Sequence, residues 1–123
     1  MSSPAIVEKL VRANFAAWAA KDRAALEALL AEDFHFSSPL DNRIDRETYF
    51  RICWPHADSI EGFDILRLAV DGDHAFVTYE VRLEGKRTRS TEVQTIRDDR
   101  IVEVEVYFGW DVPHPVKNGQ HKG

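Results

Sequence analysis

TYEVRLEG (78–85), RSTEVQTIRDD (89–99) and RIVEVEVYFGW (100–110) decide the fold of this chain. In and just before the first, Val77, Tyr79, Val81 and Leu83 alternate with Thr78, Glu80, Arg82 and Glu84. That is the period of two of a strand with one buried face. In the third, Val102, Val104, Val106, Phe108 and Trp110 alternate with Glu103, Glu105 and Tyr107. Gly85 and its neighbours turn the chain after the first stretch, and Asp98-Asp99 turn it after the second. Three strands therefore lie side by side. Their Val-rich rows face inward, and the Glu, Arg and Thr rows face outward or toward a partner chain.

Working upstream, Phe63 to Val70 reads as another strand, closed by the turn Asp71-Gly72-Asp73. Phe34 to Ser38 reads as a short strand ended by Pro39, and the segment from Pro39 to Arg43 is turn chemistry. Helices precede and separate these. Pro4 suits a first helical turn and Ser2 or Ser3 can cap it, so a helix is expected from about Pro4 to Ala20. Steps of 100° place Val7, Leu10, Val11, Asn14, Phe15 and Trp18 on one stripe. Asn14 is the polar member of that stripe, and an unpaired buried amide costs roughly 1–3 kcal/mol. Asp22 caps a second helix, marked by Leu26, Leu29 and Leu30. Asp45 caps a third, RETYFRICW (46–54), which Pro55 stops.

Composition bounds the remaining possibilities. With 123 residues and 44% hydrophobic content, the chain suits one domain around one core, expected over 1–112 with a loose tail at 113–123. No stretch approaches the roughly 18 consecutive apolar residues of a membrane helix. Glu8, Lys9 and Arg12 interrupt the region where a signal peptide needs an apolar run. One cysteine, Cys53, excludes an internal disulfide and a cysteine zinc cage. A cytoplasmic protein is expected. Acidic residues outnumber basic ones, 21 to 16, without a basic stripe, which argues against nucleic acid as a partner. No histidine or carboxylate spacing suggests a metal, and no cofactor is expected.

The order of elements, carried by AAKDRAALEALLAEDFHFSSP (19–39) and RIVEVEVYFGW (100–110), resembles the nuclear transport factor 2-like superfamily, in its SnoaL-like and ketosteroid-isomerase-like branch. The resemblance implies an α+β cone: three N-terminal helices packed on a strongly curved, mostly antiparallel sheet that encloses an apolar pocket. It also implies a homodimer, commonly joined through the outer sheet face. Ketosteroid isomerases use an aspartate base before the proline of the short strand. A first-helix tyrosine and a protonated aspartate on the penultimate strand form their oxyanion hole. Those positions fall on Ser38, Asn14 and Glu92 here. A lone serine hydroxyl has no useful proton affinity near neutral pH, so Ser38 cannot act as that base. What carries over is a two-donor polar spot without its base.

Whether Glu92 faces the pocket depends on one loop. A two-residue turn at Asp98-Asp99 sets Glu92 opposite Glu105 on the outer face; a three-residue loop sets it opposite Val104 or Val106, inside. Two opposed carboxylates repel, which favours the inward register. His56, just after Pro55, is a candidate acid or base or else an exposed loop histidine, and Asp41 is a displaced substitute base or else a turn residue. Trp18, Tyr49, Trp54, Tyr79 and Phe108 line the pocket or share the core. Two functions stay open. One is an isomerase, cyclase, hydratase or lyase acting on a small apolar molecule. The other is a non-catalytic dimeric module that holds a ligand or a partner protein.

Overall fold

The first helix, α1, spans Pro4–Ala20 and begins where the Ser3 side chain accepts the Ile6 N–H, leaving Pro4 in the first turn, where no amide hydrogen is needed. The computed structural model describes residues 2–109, so the expected tail beyond 112 and Trp110 lie outside the described residues. Lys21 ends α1 in a left-handed conformation, and the Asp22 carboxylate then caps α2, Arg23–Leu29, through the Ala25 N–H. Asp45 caps α3, Arg46–Ile52, in the same way through Thr48. The third helix stops two residues earlier than its apolar spacing suggests. Pro55 disfavours α geometry at Trp54, and the chain tightens into a short 3₁₀ helix, Trp54–Ser59.

Six strands form one sheet: β1 Leu30–Ser38, β2 Asp41–Asp45, β3 Ile60–Asp71, β4 His74–Leu83, β5 Lys86–Arg97 and β6 Arg100–Phe108. Their order across the sheet is β2-β1-β6-β5-β4-β3. Only the β1–β6 pair is parallel; the other neighbours run antiparallel. The sheet is the curved wall of an α+β cone, closed on its concave side by the three helices.

Two segments differ from the sequence reading. The strand expected at Phe34 starts at Leu30, because Leu30 caps α2 in extended conformation and pairs with Ile101 on β6. The segment read as a turn from Pro39 to Arg43 turns only at Pro39-Leu40, then pairs as β2 against β1, with Ile44 opposite Phe36. DNRID has almost no strand-forming residues, so its pairing is imposed by β1 and not by local preference.

The core lies between α1, α2, α3 and the inner sheet face. Val7 and Val11 of α1, Leu26 of α2, Phe34 of β1, Val77 of β4 and Ile101 of β6 are fully buried there. Each such side chain contributes about 1.5–3 kcal/mol on burial. This apolar layer holds the sheet against the helices toward the closed end of the cone.

Candidate functional site

Beside that core a cavity of about 710 Å³ stays open. Seven aromatic side chains line it: Phe15 and Trp18 of α1, Phe36 of β1, Tyr49 of α3, Phe63 of β3, Tyr79 of β4 and Phe108 of β6. Val81, Leu83, Val104 and Val106 add aliphatic surface on the sheet side. Trp54 lies behind the wall, its ring 4.8 Å from that of Trp18 and 6.5 Å from Phe50. Tyr49 is wedged between Trp18 at 6.1 Å, Phe34 at 5.0 Å and Phe36 at 4.9 Å. Such packing fixes the rotamers of the wall, so the cavity persists instead of collapsing.

One strand carries a polar row on its inner face. Thr88, Ser90, Glu92 and Gln94 occupy alternate positions of β5, and all four are buried on its inner face. Their inward direction is decided at the β5–β6 hairpin. Arg97 pairs with Arg100 across a two-residue turn in which Asp98 and Asp99 both adopt positive φ, 53° and 59°. In an unbroken ladder that turn sets Glu92 opposite Glu105. The register instead shifts by one between Thr95 and Ile96, where the ladder takes in an extra β6 residue, so Glu92 pairs with Val106. The loop therefore has the length that favoured an outward Glu92, and a bulge reverses the outcome.

From Asn14 the hydrogen bonds run in one direction. Asn14 Nδ2 donates to Gln94 Oε1 at 3.2 Å, and Gln94 Nε2 donates to Glu92 Oε2 at 2.6 Å. The Tyr79 hydroxyl also donates to Glu92 and is itself hydrogen-bonded to Ser90. Glu92 is thus the terminus of the chain and carries no cationic partner. Burial dominates its proton affinity and lifts its pKa from 4.5 to about 7, against the opposing pull of the Tyr79 and Gln94 hydrogen bonds. Burial also raises the Tyr49 and Tyr79 phenols well above their ordinary value, and the nearby Glu92 pushes both further. Asn14 Oδ1 is buried with no hydrogen-bond partner among the described residues.

Asn14, Glu92, Asp41 and His56 all line this cavity, as do Ser38 and Cys53. The Ser38 hydroxyl donates to Asp41 Oδ2 at 3.2 Å and accepts the Leu40 N–H at 3.1 Å, which ties Asp41 to the end of β1. Burial, and then Asp41, push the Cys53 thiol up to about 12, so it stays protonated and inert at neutral pH. Gln94 is the residue that sequence reasoning missed. The signal was present: once Glu92 points inward, the period of two carries Ser90 and Gln94 with it. Among the described residues, no group of three or more His, Cys, Asp or Glu side chains is placed to hold a metal ion. No helix among them is long and apolar enough to cross a membrane.

Comparison with known proteins adds a family. Residues 11–104 match the profile of the SnoaL-like domain. No curated protein matches the sequence. Among solved structures, a protein from Sinorhizobium meliloti provisionally identified as a polyketide cyclase is 27% identical. The match covers 80% of this chain and 93% of that one, with a TM-score of 0.68. An NTF-2 like protein of unknown function from Burkholderia xenovorans is 20% identical over 94% of this chain and 88% of its own, with a TM-score of 0.76. A protein with a ketosteroid isomerase-like fold from Catenulispora acidiphila, solved with trimethylamine, is 20% identical over 88% of each chain, with a TM-score of 0.67.

Proposed function

The chain belongs to the SnoaL-like domain family of the nuclear transport factor 2-like superfamily, and on that premise we propose that it binds a small, largely apolar molecule in this cavity and moves a proton on it. The reaction class is that of an isomerase, cyclase, hydratase or lyase. One observation carries the reading: a single buried carboxyl, Glu92, closes a hydrogen-bonded chain at a largely apolar cavity. A carboxyl whose pKa lies near 7 is matched to proton exchange at neutral pH, because both of its forms are populated there and its base form is stronger than an ordinary carboxylate. Tyr79, hydrogen-bonded to Glu92, orients it, and the chain from Asn14 through Gln94 holds it from the other side. Asp41 is the second carboxyl at the cavity and stands next to Ser38, the position that in ketosteroid isomerases holds the base.

Proton movement is testable without the natural substrate. Exchange of the α-hydrogens of cyclohexanone in D₂O is followed by NMR, with binding followed on the protein signals. The wild type accelerates exchange, and Glu92→Gln lowers the rate by about 10²–10⁴-fold while cyclohexanone still binds. Binding with equal exchange in both proteins removes the catalytic role and leaves a ligand-binding module, the second reading. The spent Ser38 hydroxyl favours that alternative, since nothing at that position can accept a proton.

The assembly we propose is a homodimer joined through the outer sheet face. There Phe76 and Tyr107 stand 43% and 54% exposed. Glu80 on the same face is already neutralised by Arg87 at 2.9 Å and Arg89 at 2.7 Å, so a partner meets charges that are paired in advance.

A further inference from the structure

The direction of the hydrogen bonds at the cavity narrows the ligand's chemistry. Several donors there are engaged: Asn14 Nδ2 on Gln94, the Tyr79 hydroxyl on Glu92 and the Ser38 hydroxyl on Asp41. Two carboxylates, Glu92 and Asp41, stand in the lining as acceptors. Charge runs the same way. The chain carries 16 lysines and arginines, yet none of those described lines the cavity. His56 is the one described lining group able to carry positive charge. Seven aromatic rings line the wall beside seven aliphatic side chains, and the π faces of the rings attract cations.

We propose that the ligand of this cavity is a lipophilic amine, an apolar body bearing one protonated nitrogen seated among the aromatic faces with its N–H groups toward Glu92. The inference rests on the pocket reading above and specifies its substrate class. A protonated amine supplies what the cavity lacks, a positive charge for a buried carboxylate. A carboxylate or phosphate ligand would bring a second negative charge to a site with no described lysine or arginine.

Ionised Glu92 is the form that holds the cation, so binding depends on pH. Tyr79 of β4 and Tyr49 of α3 are the titratable groups that act on Glu92. Facing it from α1 is the uncharged Asn14, from its own strand Ser90 and Gln94, and from β6 only Val104 and Val106. Asp41, Cys53 and His56 stand elsewhere on the cavity lining. Both tyrosines stay neutral at neutral pH, which leaves Glu92 to set the dependence.

Three probes of one shape decide the matter: cyclohexylmethylamine, cyclohexylmethanol and cyclohexanecarboxylate, titrated by calorimetry into the full-length protein. The amine is expected to bind at least about tenfold more tightly than the alcohol at pH near 8.5, and the carboxylate least. Amine affinity is expected to fall about tenfold on going to pH near 6 as Glu92 takes up its proton, while alcohol affinity stays level. In Glu92→Gln the amine loses both its advantage and its pH dependence. Alcohol binding as tight as amine binding overturns this inference alone and leaves the pocket reading standing. So does a pH dependence that survives in Glu92→Gln, which assigns it to another group. Failure of all three probes to bind overturns the pocket reading itself, and this inference with it.

Discussion

Glu92 is held in place at a cost that the rest of the fold bears. A carboxyl whose pKa rises from 4.5 to about 7 on folding is bound to its proton more tightly in the native state than in the unfolded chain. Between those values the unfolded state releases its proton first, so native stability from this group is complete below about pH 4.5. It declines as pH rises toward 7 and levels off above. Glu92→Gln keeps the shape and a hydrogen-bonding amide without the charge. It is expected to be more stable than the wild type by about 1–3 kcal/mol at pH 8, with the difference vanishing toward pH 4.5. Urea unfolding at both pH values measures this; a constant difference would place the charged form of Glu92 in a solvated environment. Gln94 illustrates what a residue-by-residue reading can overlook. Taken alone it is a surface-type amide in a polar stretch, whereas its buried position and two partners follow only from the direction of Glu92.

Among the elements, the β5–β6 hairpin has the largest consequence for chemistry. Its turn uses Asp98 and Asp99 at positive φ, a conformation that asparagine and aspartate tolerate better than other L residues but that only glycine adopts without cost. Replacing the pair with Asn-Gly relieves that strain but forfeits the hydrogen bond from the Ser2 hydroxyl to Asp99. A net gain of about 0.5–1 kcal/mol is expected, read as a rise of a few degrees in melting temperature. No gain would mean that the Ser2 contact outweighs the backbone strain. The bulge next to this turn sets the polar row of β5 on the inner face and Glu92 at the cavity, and a one-residue slip would send Glu92 and Gln94 to the opposite face. Strand β2 makes the complementary point. DNRID reads as a turn because its residues prefer turns, yet the free edge of β1 recruits it into the sheet.

For the whole molecule, the cavity and the paired charges of the outer face divide the protein into a proposed ligand side and a proposed assembly side. Tyr107→Glu puts a charge amid the Thr78–Thr91 pair, Phe76 and Val93 on that outer face. It is expected to shift the solution mass from dimer toward monomer in analytical ultracentrifugation; an unchanged mass would remove this face from the assembly. The amino-acid pattern by itself determined the three helices, the long antiparallel strands and the side of the sheet that faces them. Those features rest on local spacing, 3.6 residues per turn or two per strand, and on capping side chains such as Ser3, Asp22 and Asp45 next to their helices. Tertiary structure alone decided the register of Glu92, the engagement of Gln94, the pairing of β2 and the open volume beside Tyr49 and Trp18. Each depends on which distant segment lies opposite. A single bulged residue changes that relation without altering the periodicity from which the strands are read.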